Sequence, residues 1–263
     1  MTPELIIAIE VCLKAGKAIL RHDCSYAPAF VDRLDGGLSS DEAGLEAYRL
    51  IAHNLSVTGL PVIGEYSESV PYEVRSGWRQ FWLVAPIQGE YESQEGTGDC
   101  TVSVALIEGH EPVLGVVYAP ATDELYCGSR DSGAYRVRNA SSTLARTTRL
   151  MPSSGDPRTP EPCASRLVVS RSHLDERMLV YIEELSDQYS DIELIQQGGT
   201  LNFGMVASGE ADLYPRLDAT CEWDTAAGHA ILKAVGKNLF DIVSGRELAY
   251  NKPDLVNPFF IAR

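Results

Sequence analysis

The chain has 263 residues, of which 44% are hydrophobic and 22% charged, so it has enough apolar material for one large domain or two closely packed halves. Its formal net charge of −15 argues against a nucleic-acid or anionic-membrane surface as a partner. No run of about 18 apolar residues occurs, so no transmembrane helix is predicted.

The N-terminal segment and the cysteines bear on the cellular compartment. The apolar residues after Glu4 have no basic stretch before them and are interrupted by Glu10, so we expect no signal peptide. In a chain of this size, scattered cysteines without a Cys-x-x-Cys pair indicate reduced structural thiols and predict a cytoplasmic protein. These cysteines are Cys12, Cys24, Cys100, Cys127, Cys163 and Cys221.

Apolar spacing predicts the elements of the first part of the chain. Residues 3–21 carry the spacing of an amphipathic helix, and a second helix is expected from about Ser39 to Ile51. Residues 61–65 read as a short strand that ends on Glu65. A strong hairpin signal follows in residues 101–118, and two further short strands are expected by residue 136.

The run Phe81–Val84 predicts a buried strand, and Pro86 with Gly89 predicts a turn that stops it. Side chains at the end of such a strand commonly reach a ligand. Gly89 has no side chain to keep the main chain away from that ligand.

The later part alternates strands and helices, which predicts a layered α/β arrangement. Strands are expected at 167–170, 192–195, 211–214, 239–243 and 259–261, with helices at 174–185, 201–207 and 225–235. We therefore expect an N-terminal α+β subdomain (1–138), a surface connection rich in Ser, Thr, Pro and Arg (139–165) and a C-terminal α/β subdomain (166–263).

Several motifs carry a resemblance to a known family. The segment Phe81–Glu90 resembles Trp-Leu-Val-Asp-Pro-Leu-Asp-Gly-Thr of the inositol monophosphatase superfamily, and its 3′(2′),5′-bisphosphate nucleotidase branch is the nearer match. Leu114–Pro120 and Glu222–Ala230 also resemble that branch, and the similarity spans about residues 5 to 261. It implies an αβαβα sandwich of two packed subdomains.

The family signature holds catalytic Mg²⁺ with its two Asp side chains and helps activate water with its Thr. This chain has Ala85, Gln88 and Glu90 at those places, so the resemblance implies a weakened site. The residual metal ligands it implies are Glu65, the main-chain carbonyl of Ile87, and Asp224.

Two further departures from the family lie upstream. The resemblance places Gly44 where the family has its water-activating Asp, and Tyr66 where the family has the second Glu of a Glu-Glu pair. Asp41, Glu42 and Glu90 are the candidates to replace lost ligands.

The ligand side of the family pocket is better preserved. Ser170–His173 resembles its Ser-Arg-Ser-His, Tyr214–Arg216 matches its Tyr-Pro-Arg, and Asn202 replaces a Lys. The resemblance implies substrate-binding roles for Gly89, Ser170, Arg171, Gly199, Thr200, Tyr214 and Arg216.

Some of these residues also have structural interpretations. Asp224 has the chemistry of a helix cap, and Arg171 has that of a partner for a surface acid. His173 and His229 fit packing or capping better than metal binding, because no second His or Cys lies at ligand spacing.

Three hypotheses follow for function. The preferred one is a divergent bisphosphate-nucleotidase-like protein whose Mg²⁺-dependent phosphatase activity is lost or strongly reduced. It has no tightly bound cofactor and keeps a pocket for a nucleotide-like or other polar small molecule, with Glu65, Gln88, Glu90 and Asp224 at the catalytic positions.

The second hypothesis is an enzyme, either an active phosphoric monoester hydrolase on adenosine 3′,5′-bisphosphate or a related phosphate, or a catalyst of metal-independent acid–base chemistry. The third is a non-catalytic scaffold that binds a partner, because members of the family often form homodimers.

Overall fold

A computed structural model describes residues 1–21, 40–89, 100–142, 145–151, 166–170, 174–187, 189 and 192–263. The helices in these ranges are α1 (Pro3–Arg21), α2 (Ser40–Leu55), α3 (Tyr72–Arg75), α4 (Glu176–Ser186), α5 (Leu201–Ser208) and α6 (Glu222–Lys233). A 3-10 turn follows α2 at Ser56–Thr58.

The strands of the first half form one seven-stranded sheet, in which β1 is parallel to β2 and the other neighbours are antiparallel. They are β1 (Val62–Gly64), β2 (Gln80–Gln88), β3 (Thr101–Glu108), β4 (Glu111–Ala119), β5 (Glu124–Ser129), β6 (Gly133–Arg138) and β7 (Arg146–Arg149). The predicted hairpin is confirmed as β3 and β4, joined by a turn in which Gly109 has a φ of 60°.

The second half contains a parallel pair and a three-stranded antiparallel sheet. The pair is β8 (Arg166–Val169) with β9 (Glu193–Gln196), and the sheet has the order β10 (Tyr214–Arg216), β12 (Phe260–Ala262), β11 (Leu239–Asp241). A bridge from Leu167 to Leu213 connects the two.

Alternation of side chains along the strands produces the layers. Trp82 and Val84 of β2 pack with α1 and α2, whereas Phe81 and Leu83 pack on the opposite face with α5 and α6. In the second half, Phe260 joins that same central core, and the next residue along β12 packs outward with α4. The result is a five-layer α/β/α/β/α sandwich, which confirms the predicted fold class.

Several predicted boundaries are wrong, and α2, for example, extends to Leu55 while β11 ends at Asp241. Strand β2 continues to Gln88 instead of stopping at Pro86, because the register with β3 shifts between Ala85 and Gln88 and pairing resumes beyond the proline, which has no N–H to donate. Helix α6 begins at Glu222, three residues before the predicted start at Thr225. Strand β10 starts at Tyr214, later than expected.

The predicted surface connection, 139–165, contains β7, a strand of exposed residues that pairs with β6. Residues 152–165 lie outside the described part. The division of the chain into two halves there therefore stays a prediction.

Within the described residues, no helix combines the length and the apolar character needed to cross a membrane.

His229 lies fully buried in α6 and has a structural partner on each ring nitrogen. Its Nδ1 is 3.0 Å from Tyr250 Oη, and its Nε2 is 2.5 Å from Asn238 Oδ1. Because the amide oxygen only accepts, Nε2 carries the proton and Nδ1 accepts from the phenol, which is the neutral form of the ring. Burial lowers the pKa of His229 below its ordinary value of 6.5.

We expect the free energy of unfolding to fall as pH is lowered from 8 to 5, because unfolded His229 takes up a proton that the folded ring does not. The contribution is complete above the unfolded pKa and is lost below it. His229→Phe should flatten this dependence in urea titrations relative to wild type. Equal slopes in wild type and His229→Phe would contradict the assignment.

Candidate functional site

A cavity of about 260 Å³ opens where β1 and β2 end. Because these strands are parallel, Glu65 and Gln88 leave the sheet at the same edge, and the starts of α5 and α6 close the opposite wall. The cavity is lined by Glu65, Ile87, Gln88, Gly89, Gly199, Thr200, Phe203, Tyr214, Arg216, Ala219, Thr220, Asp224, Thr225 and Phe260.

Most residues predicted for the site therefore share this cavity, although their roles stay predictions. Ser170 is buried at the end of β8 and does not line it, and Glu42 is exposed on α2. Glu90, Arg171 and the side chain of Asp41 lie outside the described part of the chain.

The side-chain amide of Gln88 joins two walls of the cavity. Its Nε2 donates to Asp224 Oδ1 at 2.9 Å, and its Oε1 accepts from Thr200 Oγ1 at 2.7 Å. Both ends of the amide thus have partners from the second half of the chain. Gln88 therefore bridges the two walls through its side chain.

Asp224 both caps a helix and faces the cavity. It is the third residue of α6, and its Oδ2 accepts from the main-chain N–H of Cys221 at 2.7 Å while its Oδ1 accepts from Gln88. Burial raises the pKa of Asp224 above its ordinary value, and the Cys221 N–H, Arg216 and Gln88 act in the opposite direction. The capping interpretation of Asp224 is therefore confirmed, and its role in the site stays a prediction.

The chain of contacts extends from Thr200 to Thr101 on β3. The two hydroxyl oxygens are 2.9 Å apart, and both side chains are buried. Thr101 also pairs in register with Gln88 across β2 and β3. A continuous hydrogen-bonded chain therefore crosses one end of the cavity.

Arg216 supplies a positive charge to the lining. Its Nε lies 2.5 Å from Asp218 Oδ1, and its Nη1 donates to Tyr214 Oη at 3.2 Å. These contacts hold the guanidinium at the wall formed by β10.

Gly44 and Tyr66 pack against each other. A Cβ added at Gly44 would lie 2.3 Å from the Tyr66 hydroxyl oxygen, so the phenol occupies the space that a side chain at 44 would need. The two departures from the family pattern are therefore sterically complementary.

The described residues alone do not supply a group of side-chain ligands for a metal ion. Among them, no three His, Cys, Asp or Glu side chains form a group able to hold a metal ion. Mg²⁺ requires near-octahedral oxygen coordination, and the buried side chain of Ala85 offers no oxygen. Metal binding by Glu65, the Ile87 carbonyl and Asp224 stays a prediction.

Five residues that line the cavity were not predicted from the sequence: Phe203, Ala219, Thr220, Thr225 and Phe260. Thr220 and Thr225 flank the Glu222–Asp224 motif, and that proximity is the only sequence signal for them. Phe203 and Phe260 are core residues whose rings form part of the wall.

A layered α/β sandwich with a polar cavity at the ends of its first two strands defines the class of this protein. The profile of the inositol monophosphatase family matches residues 42–258. A crystal structure of CysQ from Bacteroides thetaiotaomicron, a bacterial member of that family, superposes with a TM-score of 0.83 at 33% identity, covering 99% of this chain and 96% of that one.

Named bacterial relatives match most of the chain. The 3′(2′),5′-bisphosphate nucleotidase CysQ of Salmonella typhimurium is 36% identical over 238 residues, covering 84% of this chain and 85% of that protein. CysQ of Shigella flexneri is 34% identical over 258 residues, covering 95% and 96%. The chain belongs to the inositol monophosphatase family.

Proposed function

We propose that this protein is a divergent, bisphosphate-nucleotidase-type member of its family that binds a nucleotide-like or other polar small molecule in the cavity. Its Mg²⁺-dependent phosphatase activity is lost or strongly reduced. The relationship to CysQ supports the ligand class, and the contacts of Gln88 and Asp224 support the loss of rate.

The observation that carries the proposal is the hydrogen bond from the Gln88 amide to Asp224. A neutral amide, which is a far weaker ligand for Mg²⁺ than a carboxylate, lies beside Asp224 at the position where the resemblance gives the family an Asp. At 85 the side chain offers no oxygen at all. These features together remove charge that would hold a hydrated divalent ion.

An active phosphomonoesterase is the second candidate, and the similarity to named nucleotidases over nearly the whole chain favours it. In that case one of the candidates predicted from the sequence, Glu90, Asp41 or Glu42, supplies the missing oxygens.

Phosphate release from adenosine 3′,5′-bisphosphate and from inositol phosphates separates the two candidates. We expect wild-type protein to show little Mg²⁺-dependent turnover, while adenosine 3′,5′-bisphosphate raises its melting temperature. Robust turnover that requires Mg²⁺ would overturn the proposal in favour of the hydrolase. Absence of any thermal shift with nucleotides or sugar phosphates would overturn the binding part.

Restoring the family residues tests whether the missing oxygens limit the rate. Ala85→Asp, Gln88→Asp and Glu90→Thr together should raise Mg²⁺-dependent phosphate release by about tenfold or more. The new carboxylate at 85 would have a neighbour, because Ser103 is its register partner and the Ser103 hydroxyl is buried without a partner among the described residues.

A complete restoration also needs Asp at position 44, and the structure dictates how to introduce it. Gly44→Asp alone should damage the protein, because its Cβ would collide with the Tyr66 hydroxyl. Gly44→Asp with Tyr66→Glu relieves that collision and is the matched variant. An unchanged rate in the fully restored protein would show that the replaced residues do not limit catalysis.

A further inference from the structure

Thr200 is the N-cap residue of α5, yet its side chain makes no capping hydrogen bond. A threonine at this position usually accepts from a main-chain N–H of the first turn. Here the hydroxyl donates to Gln88 Oε1 at 2.7 Å instead. The Thr200 hydroxyl therefore contacts a residue of the cavity and does not cap the helix.

The number of hydroxyl protons determines which atom donates in each hydrogen bond from Thr101 through Thr200 to Gln88. The single hydroxyl proton of Thr200 is used on Gln88, so in the 2.9 Å contact with Thr101 the proton comes from Thr101. With its oxygen held by Thr200, the Gln88 amide must turn its NH₂ group toward Asp224. The opposite orientation would place the amide oxygen against the carboxylate.

We propose that Thr200 is a positioning residue that holds the Gln88 amide against Asp224, with Thr101 supporting it from β3. The amide N–H is then the permanent hydrogen-bond donor to the Asp224 carboxylate. In consequence, and this part rests on the proposed function, the cavity takes its ligand without a divalent cation.

These hydrogen bonds also connect two parts of the fold. Gln88 and Thr101 belong to the seven-stranded sheet, whereas Thr200 and Asp224 belong to α5 and α6. The contacts thus connect the sheet with the two helices that form the opposite wall. Loss of the Thr200 hydroxyl frees the amide to rotate without removing any part of the apolar core.

The positioning role is tested by hydrogen exchange of the Gln88 side-chain amide in protein labelled with ¹⁵N-glutamine, with the signal assigned by its loss in Gln88→Met. We expect slow exchange in wild type, and exchange about tenfold faster or more in Thr200→Val. Thr200→Ser, which keeps the hydroxyl, should restore protection. Thr147→Val removes an exposed threonine hydroxyl on β7, away from the cavity, and should leave the Gln88 signal unchanged.

Equal exchange in wild type and Thr200→Val, with both proteins folded by circular dichroism, would overturn the positioning role. The consequence for binding is tested separately with adenosine 3′,5′-bisphosphate as the probe. Thr200→Val should weaken its binding by about tenfold, and EDTA should not affect wild-type binding. Binding that requires Mg²⁺ would overturn the cation-free mode while leaving the exchange result intact.

Failure of the probe to bind wild-type protein at all would contradict the proposed ligand class instead. That outcome is distinct from the exchange measurement, which needs no ligand.

Discussion

Replacing Gly115 by Ala is expected to cost about 3 kcal/mol of unfolding free energy, near the upper end of what overpacking a core usually costs. Gly115 lies on β4 directly beneath α6, and an added Cβ would be 2.2 Å from the main-chain oxygen of Ala227. Because the obstacle is helix backbone, no side-chain rotation relieves the contact. The helix must move away from the sheet.

Gly77→Ala is the matched control. At Gly77 the nearest atom to an added Cβ is 3.7 Å away, so the methyl group meets ordinary packing. Urea unfolding of the two variants should differ by at least about 2 kcal/mol. A loss of less than about 1 kcal/mol in Gly115→Ala would mean that α6 does not depend on this close approach.

The same substitution should also disturb the cavity. Asp224 is carried by the first turn of α6, and its contact with Gln88 depends on the distance between that helix and the end of β2. We therefore expect ligand binding to weaken in Gly115→Ala beyond the loss caused by a smaller folded fraction.

Replacing Lys252 by Met is the second change with a large expected effect. The carboxylate of Glu222 is fully buried, and Lys252 Nζ donates to it at 2.7 Å. The main-chain N–H groups of Asn251 and Lys252 donate to it at 2.6 and 2.9 Å. Without the ammonium group a buried charge keeps only neutral donors, which should cost about 3 kcal/mol.

Lys233→Met provides the comparison, because it also removes a lysine that contacts carboxylates. Lys233 Nζ lies 2.5 Å from Glu247 and 3.4 Å from Glu111, both of which are substantially exposed. Such surface pairs contribute about 0–1 kcal/mol. Comparable losses of unfolding free energy in the two variants would refute the assignment of Glu222 as a buried charge that needs its partner.

The Glu222 contacts matter for the site because they secure the segment that supports α6. Asn257, in the same C-terminal segment, donates to the main-chain oxygen of Cys221 at 2.7 Å. Arg75 donates to the Asn251 side chain at 2.9 Å and connects this segment to α3. The beginning of α6, and with it Asp224, is thereby held from two directions.

The local pattern of apolar residues was sufficient to predict most of the secondary structure. The amphipathic spacing of residues 3–21 specifies α1, and the β-branched runs around 101–118 specify the hairpin, because burial of one face determines both periodicities. The course of β2 through Pro86 was not predictable in this way, since it depends on how β3 resumes pairing beyond the proline.

The position of Asp224 was predictable from its motif, but its partners were not. Gln88 and Thr200 are 112 residues apart in the chain, and no local pattern links them. The packing of Tyr66 against Gly44 is a similar case, because each residue alone looks like a simple loss of a family carboxylate.

The amino-acid sequence alone determined the family, the layered fold class and the residue types at the cavity, because periodic burial and short motifs are properties of neighbouring positions. Only the tertiary structure decided that an amide from the first half meets a carboxylate and a hydroxyl from the second. Such a contact forms only when two distant segments pack together. Hydrogen bonds of 2.7 and 2.9 Å depend on the distance between atoms in the folded protein, which the order of residues along the chain does not give.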